Sequence, residues 1–269
     1  MFFLRKRSVV FFSRDRIRIV AVGHTGKCIP GSAREIAYDS GSLEATFFSL
    51  RNTFPRTIRL VLAEELLYVL FAPLSKGEAC DRDCIASAIQ GMVPEKLSET
   101  VWDSTFVKAP WLHAKSEMFV HVRVVRRDFF KTILTSMRSA GFGVELASAE
   151  SCALTRLTRS KNEPVIIGRS DENGRTLLIA AHYGIPLATE LIGSGLSGSA
   201  SRFLDSVKAQ IPIAFMRAEL SPLVPEDIRE SLSAAGIAIS EHDFNLCSAM
   251  MLKNRIHGKH ALVSDFDRD

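Results

Sequence analysis

The run Gly193-Ser194-Gly195-Leu196-Ser197-Gly198 spells a complete G-x-G-x-x-G in this chain of 269 residues. Glycines at that spacing let a backbone close on a pyrophosphate at a helix N-terminus, and an acid about 20 residues further on would meet the ribose. Glu219 stands at that distance, at the end of a predicted strand. Taken alone, this describes a Rossmann-type NAD(P)-dependent oxidoreductase. The competing reading is a tight strand-to-helix turn, because the preceding strand would be third in an antiparallel series rather than first in a parallel sheet. A second run, Gly23-His24-Thr25-Gly26-Lys27-Cys28, brushes the phosphate-loop pattern. Ala21 stands where that loop has its leading glycine and Cys28 where it has Ser or Thr. Pro30-Gly31 follows where a helix should begin, so a hairpin turn is expected.

Nucleophiles and metal ligands form no constellation. Cys28, Cys80, Cys84, Cys152 and Cys247 are scattered and odd in number, as reduced thiols are. Cys80 and Cys84 would share a helix face at i,i+4, but no histidine is near them in sequence to complete a metal site. His257 and His260 lie in a polar tail without a carboxylate at ligand spacing, and His121 alternates within a predicted strand. No G-x-S-x-G anchors a serine triad. No catalytic residue and no metal ligand is assigned. Trp102 and Trp111 read as core or interface anchors.

The elements that must position these residues follow from periodicity and breakers. Val9 to Phe12 and Ile17 to Val22 predict a hairpin around Ser13-Arg14-Asp15-Arg16, with a third strand within 28–38. A helix over 43–54 with Ser42 as N-cap comes next, then strands at 58–62 and 66–71. Asp81 to Met92 predicts a helix ending near Gly91, and Phe119 to Val125 alternates like a half-buried strand. Asp128 is expected to cap a helix over 129–140 that buries Phe130, Ile133, Leu134 and Met137. Another helix is expected over 147–159. A second hairpin follows at 165–168 and 175–181 around Ser170-Asp171-Glu172-Asn173-Gly174, then a strand at 185–192. Helices over 197–210, 226–235 and 244–253 and strands at 211–218 and 237–239 complete the reading.

Hydrophobic residues make up 46% and charged residues 24%, so the chain is globular and long enough to bury a substantial core. The 34 basic and 30 acidic residues are interspersed, giving +4, and Arg5-Lys6-Arg7 is too short an arm to suggest nucleic acid. No nucleic-acid partner is expected. No stretch reaches the ~20 apolar residues of a membrane span, because Glu64 and Glu65 interrupt the best candidate, 58–74. The start lacks the features of a signal peptide. A cytoplasmic chain that meets a membrane only through a partner is expected.

Two lobes that each open on a hairpin and later turn to helix resemble the actin-like superfamily, and within it the PilM family of type IV pilus assembly. They also resemble its type II secretion relative, the cytoplasmic part of GspL. Val9 to Gly23 lies where that family has its first hairpin, and Arg59-Leu60-Val61-Leu62 with Leu67-Tyr68-Val69-Leu70 looks like a later strand pair. Ala88 to Glu95 followed by Val101-Trp102-Asp103 is similar to the family's entry into an inserted subdomain. Arg138-Ser139-Ala140-Gly141-Phe142, with Val144-Glu145 and Ala153-Leu154, looks like the return from it. Gly184 and Ile192-Gly193-Ser194-Gly195 match a glycine pattern of the second lobe.

The resemblance implies an α/β, ribonuclease H-like two-lobed fold with a small inserted α+β subdomain and a reduced second lobe. The expected divisions are 1–80 for the first part of lobe one, 81–146 for the insertion, 147–163 for a helix returning to lobe one, and 164–269 for lobe two. It also implies Mg-ATP as cofactor, with Ser13, Asp15, Gly168, Ser170, Gly193 and Gly195 at the positions of its nucleotide site. Those positions are degenerate. The family's first phosphate loop carries an Asp and glycines, whereas Phe12-Ser13-Arg14-Asp15-Arg16 has no glycine and brings its Asp three residues late. The second loop has Ile166 or Ile167 where the Asp belongs. A phosphate cradle needs close backbone approach, which side chains obstruct. The resemblance therefore implies a scaffold rather than a working ATPase. It would bind a short cytoplasmic peptide of a membrane-anchored PilN-like partner between the first lobe and the insertion, beside a pilus motor ATPase. A Rossmann-type oxidoreductase and a true actin-like ATPase are the alternatives.

Overall fold

The computed structural model describes residues 6–23, 27–39, 41–74, 81–108, 118–159, 163–171, 174–193, 199–209, 211 and 216–244. Its first sheet is built from β1 (Arg7–Phe12), β2 (Arg16–Val22), β3 (Arg34–Ala37), β4 (Thr57–Leu62) and β8 (Gly143–Ala149), in the order β3-β2-β1-β4-β8. The first three strands are antiparallel, and β4 and β8 join parallel to β1. The second sheet repeats the scheme. It contains β9 (Val165–Ser170), β10 (Thr176–His182), β11 (Ile185–Ile192), β12 (Arg217–Leu220) and β13 (Ala238–Glu241), ordered β11-β10-β9-β12-β13. Again the first three are antiparallel and the last two join parallel.

The helices keep the same places in both halves. α1 (Leu43–Leu50) precedes β4 as α5 (Ser199–Lys208) precedes β12, and α3 (Arg127–Ser139) precedes β8 as α6 (Glu226–Ala234) precedes β13. α1 and α3 cover one face of the first sheet, where Phe47, Phe130, Ile133, Leu134 and Met137 meet Val10, Phe12, Ile19, Leu60 and Leu62. α3 ends as its sequence requires. Gly141 takes φ +82°, and the Phe142 N–H reaches back to the Met137 carbonyl at 2.9 Å. In the second half Phe203, Leu204, Ile228 and Leu232 cover the equivalent face.

Between β4 and α3 the first half carries an insertion. Its three-stranded antiparallel sheet, β5-β7-β6, is formed by β5 (Tyr68–Pro73), β6 (Thr100–Lys108) and β7 (Met118–Arg126), with α2 (Arg82–Ile89) on its outer face. Asp81 caps α2, its carboxylate accepting from the Cys84 N–H at 2.8 Å.

Several expectations need correction. Residues 147–159 are not one helix: 143–149 form β8 and only Glu150–Leu154 coil, as α4. Small apolar residues there satisfy both periods, and pairing with β4 decides for strand. The stretches 58–62 and 67–70 do not pair with each other, since β4 lies in the first sheet and β5 in the insertion. β5 therefore falls on the lobe side of the expected boundary at residue 81, although its sheet is the insertion's. β7 is buried on both faces rather than half-buried. The Ser42 hydroxyl bonds to the main chain of Asp39 and does not cap α1. Asp128 sits in the first turn of α3, where its carboxylate accepts from the Phe129 N–H. The strand expected over 211–218 is β12, starting only at Arg217. The helix expected over 244–253 lies, beyond its first residue, outside the described residues, as do Cys80, Trp111, His257 and His260.

Candidate functional site in the cleft between the lobes

The β1–β2 tip and the β9–β10 tip face each other across a cavity of about 470 Å³. Arginines dominate its lining: Arg14, Arg16, Arg18, Arg169 and Arg175 stand against Asp15, Glu65 and Asp171. The first tip is a closed turn. Ser13 N–H donates to the Arg16 carbonyl at 2.9 Å, the Ser13 hydroxyl donates to that same carbonyl at 3.1 Å, and Tyr38 Oη donates to the Ser13 carbonyl at 2.7 Å. Burial of the Tyr38 phenol, with the charges of Asp15 and Glu65 nearby, pushes its pKa well above the ordinary tyrosine value.

Acids of the first lobe meet arginines of the second here. Glu65 follows β4 in the short turn Glu64–Leu66; it accepts from the Arg14 N–H at 2.8 Å and pairs with Arg175. Glu150, buried at 3% exposure, pairs with Arg169, whose guanidinium also lies over the Phe11 ring. Arg175 is held on its other side by Asp171. Glu64, beside Glu65 in sequence, turns the other way into the seam, where one carboxylate oxygen accepts from the Ser151 N–H at 3.1 Å and the other is enclosed without a partner. Burial raises the Glu64 pKa to about 7, and the charge of Glu150 adds to it.

The insertion packs against both lobes. Its inner face has three zones. Val101 and Val125 join the first lobe's core, while Val107 and Phe119, the latter stacked on Phe71 at 4.9 Å, join the second lobe's core. Between them lies a polar band, in which Arg123 bonds Asp103 and Thr105 and His121 is buried. Burial, reinforced by Arg123, lowers the His121 pKa to about 3, so this imidazole is neutral. α4 fills the seam beneath, with Ala153 in the core of one sheet and Leu154 in that of the other.

No family model matches the sequence, and no curated protein matches it. Solved structures do. The chain superposes on the cytoplasmic domain of EpsL, an inner-membrane component of the Vibrio cholerae type II secretion system, with TM-score 0.64 and 13% identity, covering 96% of this chain and 98% of that one. It superposes on a PilM–PilN type IV pilus biogenesis complex with TM-score 0.65 and 11% identity, covering 91% and 90%. A Bacteroides thetaiotaomicron protein with the actin-like ATPase fold gives TM-score 0.60 at 9% identity, covering 93% and 97%. The fold is actin-like.

An actin-like cleft implies Mg-ATP, and the residues present do not fit it. Ser13 and Asp15 do line the cavity, but the Ser13 hydroxyl is spent on its own turn, and the Asp15 side chain is 70% exposed beside Arg16. Gly168 serves packing: a Cβ there would come within 2.5 Å of Leu220 Cδ2. Ser170 is buried against Thr176, hydroxyl to hydroxyl at 2.6 Å, and its N–H donates to Ser221. Gly193 is exposed at the end of β11, and Gly195, with the rest of the run to Gly198, lies outside the described residues. Among the described residues no group of three or more His, Cys, Asp or Glu is arranged to hold a metal.

The dinucleotide reading fails on topology. β11 is an antiparallel edge strand, whereas that fingerprint needs a parallel β-α-β setting. Glu219 is buried and accepts from the Arg159 N–H at 3.0 and 3.2 Å. Sequence reasoning missed Glu65, Glu150, Arg169 and Arg175 as cleft residues. One signal was present, the adjacent pair Glu64-Glu65 in an otherwise apolar stretch.

Proposed function

We propose that the chain is an assembly scaffold on the cytoplasmic side of a type IV pilus or type II secretion machine. Its likeness in fold to the EpsL cytoplasmic domain and to PilM, along nearly the whole of each chain, supports that reading. The carrying observation is the cleft itself, whose facing acids and arginines are paired with one another in place of nucleotide-binding groups. A protein that holds its lobes together with its own side chains presents a fixed surface, which suits docking rather than turnover.

On this reading the chain takes a short cytoplasmic peptide of a membrane-anchored PilN-like partner, between the first lobe and the insertion, and reaches the membrane only through it. A pilus-type motor ATPase is a further partner. Among the described residues no helix is long and apolar enough to cross a membrane, in keeping with attachment through a partner. The test is fluorescence anisotropy with a labelled peptide of the N-terminal cytoplasmic segment of the PilN-like protein from the same genome. Saturable binding that is unchanged by added Mg-ATP supports the reading. Absence of binding, or binding only with Mg-ATP present, overturns it.

A further inference from the structure

Glu65 sits between the two hairpin tips and bonds to both. One carboxylate oxygen takes the main-chain N–H of Arg14 from the first tip, and the other takes the guanidinium of Arg175 from the second. Asp171 fixes that guanidinium from behind, through its Nε at 3.1 Å. A main-chain amide at a tight turn combined with one charged guanidinium N–H is a donor pair that a tetrahedral oxyanion accepts as a carboxylate does. The surroundings favour negative charge further. Arg14, Arg16, Arg18 and Arg169 line the same cavity; Arg16 and Arg18 share the carboxylate of Glu35, Arg16 also faces Asp15, and Arg169 is paired with Glu150. The turn that carries Glu65 is anchored by its neighbour Glu64, bonded to the Ser151 N–H, so the carboxylate is delivered by a fixed stretch of main chain.

We propose that Glu65 is a built-in ligand of an oxyanion site in the cleft, and that its carboxylate takes the place of an inorganic phosphate or a phosphate monoester. The site joins the lobes without any bound molecule, and it opens to phosphate when the carboxylate is removed. This inference does not depend on which peptide the scaffold takes, since its readout is anion binding by the chain alone.

The experiment uses the full chain and inorganic phosphate as probe, at constant ionic strength with chloride as the control anion. Wild type, Glu65→Ala, Glu65→Gln and Glu65→Ala/Arg175→Ala are compared by thermal unfolding. Wild type is expected to show no phosphate-dependent change in Tm. Glu65→Ala is expected to melt lower and to recover by about 3 °C in phosphate at roughly ten times its dissociation constant. Adding Arg175→Ala should abolish the recovery. Glu65→Gln, which keeps the volume and loses the charge, should respond to phosphate in the same direction as Glu65→Ala but less. If Glu65→Ala is insoluble, the same expectation falls on Glu65→Gln and on phosphate-dependent refolding of both. A phosphate response in wild type equal to that of Glu65→Ala overturns the proposal. So does the absence of any phosphate response, in Tm or in refolding, in both single variants.

Discussion

The two lobes share one strand order and one order of helices, yet they differ in what they bring to the cleft. The first contributes two carboxylates, Glu65 at the cleft's surface and the buried Glu150, and the second contributes the arginines that meet them, Arg175 and Arg169. Between β12 and α6 the second lobe has only residues 221–225, whereas between β4 and α3 the first spends residues 63–126 on the insertion. That insertion reaches back across the seam to bury Phe119 and Val107 in the second lobe's core. The two halves are thus unlike in the charge they bring to the cleft and in the insertion that only the first carries. Complementary charge and a side brace do the joining.

The sharpest way to break the comparison is to cut the brace. Phe119→Ala removes a fully packed ring shared with Phe71 and should cost about 4 kcal/mol by urea unfolding, with the second lobe becoming protease-sensitive first. Arg169→Met strands the buried Glu150 carboxylate and should cost about 3 kcal/mol. Adding Glu150→Gln should recover most of that loss, because the uncompensated charge is gone, and a double-mutant cycle over the four proteins checks it.

The seam also predicts a pH dependence. The folded pKa of Glu64, about 7, lies above its unfolded value near 4.5, so the folded state binds the proton more tightly. This stabilisation is fully present below the unfolded value and is lost as pH rises through about 7, by roughly 3 kcal/mol for one carboxyl. Glu64→Gln should flatten that part of the stability-against-pH curve measured by denaturant titration. The smallest effect is in the second lobe alone. Gly168→Ala drives a methyl against Leu220 and should cost about 2 kcal/mol, lowering Tm without changing peptide binding.

Much of this architecture was legible in the residues. The hairpins at β1–β2 and β9–β10 announce themselves by apolar runs around polar tips, and α3 by its face of Phe130, Ile133, Leu134 and Met137. β8 was not legible, because Leu146, Ala147 and Ala149 suit a helix as well as a strand, and only the parallel partner β4 decides. The clamp was not legible either. Glu65 and Arg175 lie 110 positions apart, Glu150 and Arg169 19 apart, and ion pairs across a seam leave no local pattern. Gly168 was read as a residue of the nucleotide site, but the structure shows it making room for leucine side chains.

The central claim is that this cleft is held by its own side chains, and hydrogen–deuterium exchange with and without millimolar Mg-ATP tests it most directly. Amides at residues 13–16 and 169–171 should exchange at the same rate in both conditions. Protection that rises at both tips on adding Mg-ATP would contradict it.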